Sequence, residues 1–392
     1  MRKSPDGGIV AFLALSHRQK GGCGATPLAT RGKTCIFVGA TLTLRTLTLT
    51  GKKVLVTGAS GFIGSFVVER MLDAGAEVWA AIRPTSNRRY LTDPRTCFIE
   101  LDLGSDDILR TQLSHHGETH GAWDYVIHAA GATKCADPAA FYAINAEGTR
   151  RLAEALVELG RLAGRFVFIS SLSIFGPARE ERVSKSSPHY APIRATDTPR
   201  PDTDYGRSKL QAERSLAAIA GLDYVVMRPT GVYGPRERDY YLMAKSIARH
   251  VDFAVGYRPQ EITFVFVRDL AEAVVLACLR GKRGAAYFVT DGGVYDSRTF
   301  SRLLQRAMGV RGVVRVTAPV ALLQLVCAVS GGIARMAGRA TTLNSDKFRI
   351  LRQRNWQCDL GPTVSDLGYV PRYSLERGVN ETINWYKEQK WI

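Results

Sequence analysis

The sequence predicts a doubly wound α/β fold: a parallel sheet covered on both faces by helices, with a smaller C-terminal substrate-binding lobe. Three observations lead there. Short β-rich runs alternate with helical stripes from about residue 49 onward. The strand-like runs are continuously apolar instead of alternating, the pattern of strands buried on both faces. The chain has 392 residues, 45% of them hydrophobic, enough for a large core and too many for general disorder.

The elements read in order. "KKVLVTGAS" is a buried strand closed by Gly and Ser. "FIGSFVVERMLDAG" places apolar residues at 62, 63, 66, 67, 71 and 72, a helical stripe that stops at Gly75. Strands follow in "EVWAAIR", "CFIELDL" and "YVIHAAG", and a helix runs from about Phe141 to Gly160 into the strand "RFVFISS". A helix opening with "TDYGRSKLQAE" and a strand "DYVVMRP" complete the alternation. From about Thr230 the rhythm breaks into shorter, mixed pieces, with no internal repeat. The expected division is an extension over 1–48, disordered or non-native, a nucleotide-binding domain over 49–235, and a lobe over 236–392 interleaved with the sheet.

The net charge is +17, of which the first 50 residues, with seven Lys/Arg and only Asp6 as acid, hold +6. The remaining +11 favours anionic ligands such as nucleotide phosphates or an acidic membrane surface. No Lys/Arg run interleaved with aromatics points to nucleic acid. Seven dispersed cysteines without a C-x-x-C pair read as reduced thiols of a cytoplasmic protein. His115, His116 and His120 read as a solvated loop, since no Cys or acid is spaced to complete a metal site. "VTAPVALLQLVCAVSGGIA", residues 316–334, carries no charge. It reads as two helical segments over an apolar cleft, or as a site of peripheral membrane contact.

The chemistry starts in "VLVTGASGFIG". Gly58, Gly61 and Gly64 fall at a strand-to-helix turn: the first allows the tight turn, the second the approach of a pyrophosphate, the third close helix–strand packing. With Ser60, Phe62 and Ile63 they form a dinucleotide-binding turn whose helix N-terminus faces the phosphates. After the second strand, "VWAAIRPTSNRR" has no acid to hold a ribose 2′-hydroxyl; Arg83 stands there instead, suiting a 2′-phosphate. NADP(H) is therefore favoured over NAD(H). Asp102, beside Leu103, is placed to accept from an adenine amino group, or to serve as a turn residue. Ala129, Ala130 and Gly131 in "HAAG" leave room for the cofactor. In "FVFISSLSIFGP" two serines close a strand at the sheet's carboxyl edge, where such folds bind ligands. Tyr205 and Lys209 lie one helical turn apart and share a face, and an ammonium alongside a phenol favours the phenolate.

"TGASGFIG", "HAAG", "SSLSIFGP", "YGRSK" and "RPTGVYGP" occur here in one order. Together they resemble the extended short-chain dehydrogenase/reductase superfamily, from about Gly51 to the C-terminus. The resemblance implies a catalytic Ser171, Tyr205 and Lys209, with Asn145 near the lysine and Pro229 to Val232 lining the nicotinamide. "AAIRPTSNRRYL", "FVFVRDLAEAV" and the C-terminal segment look most like the branch of 3β-hydroxysteroid dehydrogenase-like and dihydroflavonol 4-reductase-like proteins. The activity implied is reversible hydride transfer between a ketone and a secondary alcohol on an apolar small molecule, by a homodimer. Ser173, Tyr233 and Arg236 fall where substrate contacts are expected, and Asp269 reads as a helix cap. The alternatives are a nucleotide-sugar epimerase or dehydratase holding NAD, and a non-catalytic cofactor sensor.

Overall fold

The computed structural model describes residues 48–182, 189–336 and 345–392, so the expectation for the N-terminal extension lies outside the described residues, Thr48 apart. The leading strands are β1 (Lys53–Thr57), β2 (Glu77–Ile82), β3 (Cys97–Glu100), β4 (Trp123–His128), β5 (Leu162–Ile169) and β6 (Tyr224–Pro229). Helices α1 (Phe62–Asp73), α2 (Asp106–His120), α3 (Pro138–Phe141), α4 (Gly148–Glu158) and α5 (Asp204–Ala218) alternate with them. Then come β7 (Gly231–Tyr233), α6 (Asp239–Ala248), β8 (Val251–Val255), β9 (Phe264–Phe266), α7 (Val267–Arg280) and β10 (Ala286–Val289). The chain ends with α8 (Thr299–Met308), β11 (Val314–Ala318), α9 (Val320–Met336), α10 (Ser345–Arg352), α11 (Gly361–Leu367) and α12 (Leu375–Glu388).

Seven parallel strands form the central sheet in the order β10-β6-β5-β4-β1-β2-β3. The order reverses between β1 and β4, the switch point where ligands enter such sheets. The buried runs of β1, β4 and β5 explain the stacking: Val54, Val56 and Ile127 pack with α1 and α7, while Leu55, Val126, Phe166 and Phe168 pack with α2 and α4. The seventh strand comes from residues 286–289, well beyond residue 235, and pairs with β6. A separate aromatic core around Tyr233, Phe264, Phe266, Phe300 and Tyr386 holds the C-terminal elements.

Three local expectations change. The helix expected from Phe141 forms but is not uniform: α3 passes without a break in helical backbone into a π-helical segment, Tyr142–Glu147, and on into α4. The His stretch is the end of α2, not a loop; His116 stacks on Trp123, and burial drops its pKa to about 4. Of residues 316–334, none of the described side chains lines the cleft described below: β11 pairs with β8 in a two-stranded sheet and continues into α9. Among the described residues, no helix is long and apolar enough to cross a membrane. No cluster of His, Cys, Asp and Glu there could hold a metal ion.

Candidate active site

A cleft of about 1050 Å³ opens at the carboxyl ends of the central strands, over the switch point. Its floor is the β1–α1 turn. Gly58 has φ +66°, and a Cβ there would meet the Ala130 amide nitrogen at 2.6 Å. A Cβ on Gly64 would meet the Gly58 carbonyl oxygen at 2.1 Å. Gly61 is the N-cap of helix α1 and no side chain caps the helix, so its first backbone N–H groups remain for an anion in the cleft. The turn is thus a cradle that side chains would fill, which fits a dinucleotide pyrophosphate.

Arg83, Ser86, Asn87, Arg89, Tyr90, Asp102 and Leu103 line one end. The Ser86 hydroxyl accepts from the Arg83 amide at 2.9 Å, while the Arg83 side chain is exposed. Asp102 is a turn residue as well as a cleft residue: its Oδ1 accepts from the Gly104 amide at 2.8 Å. Ser60, Phe62, Ile63, Ala129, Ala130, Gly131, Pro229 and Val232 also line the cleft, bringing together the residues expected to bind a cofactor.

At the other end stand Ser171, Tyr205 and Lys209. Close approach of backbones places them. A Cβ on Gly206 would lie 2.5 Å from the Ser173 carbonyl oxygen, so only glycine lets α5 press this tightly against the turn after β5. Ser171 caps that turn, accepting from the Ser173 amide at 3.1 Å and donating to its hydroxyl at 3.1 Å. Thr203 caps α5 through the Gly206 amide at 3.0 Å. Burial pushes the Tyr205 phenol up, with the Ser171 hydroxyl opposing it. The expected depression by lysine is therefore not the dominant effect: Lys209 donates to the Ile169 carbonyl at 2.9 Å and lies over Phe168. Burial lowers Lys209 to about 8, opposed by the charge of Glu213.

Of four further expected residues, Asn145 lies near Lys209 as expected, both side chains closing on Gly131, and the other three take other roles. The Asn145 side chain is fully buried and clamps the loop after β4, accepting from the Ala132 amide at 2.7 Å and donating to the Ala132 carbonyl and the Ser208 hydroxyl. Ser173 partners Ser171 and does not line the cleft. Tyr233 is no substrate contact: it sits in the aromatic core, donating to the Leu375 carbonyl at 3.3 Å. Arg236 reaches the cleft wall but is held by Ser65 and Glu69 and lies over the rings of Phe66 and Tyr90. Asp269 is structural but not the helix cap expected: α7 has no side-chain cap, and the carboxylate instead accepts from the Arg372 and Tyr373 amides of the segment before α12.

Two features escaped the sequence reading. Behind the serines, Ser170 donates to Glu213 at 2.5 Å, and Arg228 grips the same carboxylate at 3.1 and 2.6 Å, all buried. Asp346, on α10, accepts from the Asp204 and Tyr205 amides at 2.9 and 3.2 Å, capping the helix that carries the tyrosine. Lysine and glutamate four apart on α5 signal the first; a contact across 141 residues leaves no local signal.

This geometry defines a dinucleotide-dependent enzyme of the doubly wound α/β class. The model of the NAD dependent epimerase/dehydratase family matches residues 54–289, and the chain belongs to that family. It is an NAD(P)-dependent enzyme of the extended short-chain dehydrogenase/reductase type. Sterol demethylase protein B from Methylococcus capsulatus is 28% identical over 353 residues, covering 86% of this chain and 99% of the relative. UDP-glucose 4-epimerase from Vibrio cholerae is 25% identical over 346 residues, covering 84% and 94%. Among solved structures, gox2253 superimposes with a TM-score of 0.68 at 25% identity, covering 86% and 98%. The dTDP-glucose 4,6-dehydratase of Bacillus anthracis in complex with NAD shares the fold, with a TM-score of 0.66 at 18% identity, covering 87% and 98%.

Proposed function

We propose that the chain is an NADP(H)-dependent oxidoreductase that interconverts a ketone and a secondary alcohol on an apolar small molecule. The observation that carries this reading is the meeting of Tyr205, Ser171 and Lys209 in the same cleft as the glycine cradle. Burial keeps the Tyr205 phenol protonated, the state needed to donate a proton to a carbonyl oxygen. In this reading Ser171, whose hydroxyl opposes the rise in the Tyr205 pKa, hydrogen-bonds the carbonyl oxygen as charge develops. Lys209, half ionised near pH 8, supplies positive charge to the same end of the cleft. The cofactor supplies or accepts hydride at its nicotinamide ring. Arg83, exposed at the far end with no acid after β2, supports NADP(H).

The apolar substrate draws on Ala132, Ala143, Ile144 and Val232, which line the cleft. Two cations there are already neutralised, Lys134 by Asp239 and Arg236 by Glu69. The relative named sterol demethylase protein B fits the same reading. A second reading, a nucleotide-sugar epimerase or dehydratase, is favoured by Arg238, exposed on the cleft rim and suited to a diphosphate, and by the relatives named for those activities.

The test is titration of the full chain with NADPH and NADH, followed by turnover on sterol ketones, flavonoid-like ketones, 3-oxoacyl compounds and nucleotide sugars. Tighter NADPH binding with turnover of an apolar ketone is expected; retained NAD that does not exchange, with turnover of a nucleotide sugar, selects the second reading. Tyr205→Phe should cut turnover by about a hundredfold or more while cofactor affinity stays unchanged. Turnover close to wild type would remove Tyr205 from the chemistry.

A further inference from the structure

Helix α9 is apolar on the side that faces solvent. Val320, Leu323, Cys327 and Ser330, spaced three and four apart, turn inward, with Cys327 fully buried. The exposed side carries Ala321, Leu322, Leu325, Val326, Ala328 and Val329; only Gln324 is polar among the exposed residues of 320–329. Leu325 is 61% exposed and Val329 54%. An ordinary surface helix places its polar face outward, so this one is inverted.

The sheet that leads into α9 does the same. Strands β8 and β11 pair in parallel with Val251 beside Val314, Phe253 beside Val316 and Val255 beside Ala318. Side chains alternate along a strand, so these six apolar residues share one face. Asp252, one step out of phase, points to the other side, where Arg298 and Ser301 bind it. Phe253 and Val314 are both more than 60% exposed. Beyond the strand ends, Tyr257 is exposed and donates to the Thr317 carbonyl near the end of β11. Apolar exposure on this scale marks an interaction surface.

Charge selects the occupant. From residue 297 to 345 the chain contains seven arginines and no acid. Arg306, Arg311 and Arg315 in that span are exposed, as are Lys245, Arg249 and Arg258 around β8. The only acid between residues 240 and 260 is Asp252, which is buried. Arg298 and Arg302 of that span are paired with Asp252 and Asp296, but an apolar face accompanied by the remaining exposed cations is complementary to an anionic lipid bilayer: the apolar groups enter the headgroup boundary and the cations meet lipid phosphates.

We propose that the β8–β11 face and the outer side of α9 form a monotopic docking surface for an anionic membrane. The inference stands apart from the substrate reading, because it uses no residue of the cleft. Flotation of the full chain with vesicles of pure phosphatidylcholine, or of equal parts phosphatidylcholine and phosphatidylglycerol, tests it. The anionic vesicles should carry the protein, the neutral ones much less, and added salt should weaken the binding as charges are screened. Leu325→Glu with Val329→Glu should weaken binding on the order of tenfold or more, leaving NADPH affinity and the circular dichroism spectrum unchanged. Should that variant misfold, Arg258→Glu with Arg311→Glu, exposed cations just outside the two strands, reads the electrostatic half and should also lose vesicle binding. Absence of wild-type flotation overturns the proposal, as does binding that survives the folded variants and so belongs to another segment. A wild-type dimer that both variants convert to monomer overturns it too, by giving the face to a second copy of the chain.

Discussion

The two ends of the molecule's surface chemistry are built by opposite means. The cofactor end of the cleft is made of backbone: glycine positions, free helix N–H groups and small residues that let chains approach. The proposed docking face is made of side chains whose only distinction is to be apolar where water is expected. A backbone site constrains residue type at fixed spacing and tolerates nothing larger. A side-chain face tolerates almost any apolar residue and is lost only to charge.

That contrast is most sharply tested at Gly64. Its missing Cβ would lie 2.1 Å from the Gly58 carbonyl oxygen and 2.9 Å from the Ala59 Cα, both backbone atoms that cannot rotate away. Gly64→Ala should force α1 off β1, costing about 3 kcal/mol of stability or more. Cofactor affinity should fall by at least about a hundredfold, since each factor of ten is about 1.4 kcal/mol. Thermal unfolding and NADPH titration measure both. An alanine variant that binds normally would mean the turn is not the cradle.

The same contrast explains what could be read from sequence. Strand–helix alternation, the glycine turn, the strand-end serine and the Tyr205–Lys209 spacing are local, and each places its residues in the cleft. Tyr233 was misplaced because "RPTGVYGP" gives its sequence position but not which face β7 presents; its ring is claimed by Phe264, Phe266 and Phe300. Asn145 was read as a neighbour of Lys209, and a Cβ on Gly131 would touch both side chains, yet the amide binds backbone. The π-helical turn around it adds a residue to the helix without altering the apolar pattern. Asp346, and the fact that α9 turns its apolar side outward, depend wholly on tertiary neighbours.

Glu213 lies between the two extremes, a buried side chain acting on a cleft residue. Removing its charge by Glu213→Gln leaves Arg228 buried without its carboxylate, costing about 3 kcal/mol. A second readout separates structure from electrostatics. Burial has moved Lys209 from 10.5 down to about 8, and Glu213 opposes that shift. If the ammonium assists turnover, the rate falls as pH rises through about 8, and Glu213→Gln should move that limb to lower pH. Because the folded pKa is the lower one, Lys209 contributes stability that grows as pH climbs from 8 towards 10.5, where only the unfolded chain is still protonated. A variant that loses stability with an unmoved limb would make Glu213 a structural anchor only.

The smallest effect is expected at Asp346, and it reports on how far the lobe governs the cleft. Its carboxylate takes two amides that the first turn of α5 cannot satisfy internally, Asp204 and Tyr205, while Thr203 takes a third at Gly206. Helix α10 is further fastened by Arg349 to the Asp202 carbonyl at 2.8 Å. Asp346→Ala should therefore cost about 1 kcal/mol, the usual value of a lost cap, since Thr203 remains. The Tyr205 backbone loses one of its tethers, so kcat should fall by a few fold while the Kd for NADPH is unchanged, the cradle lying at the other end of the cleft. Asp346→Asn, which keeps an accepting oxygen, should recover most of both losses. Equal damage from the two substitutions would assign the effect to charge, and a changed Kd would mean that the two ends of the cleft are not independent.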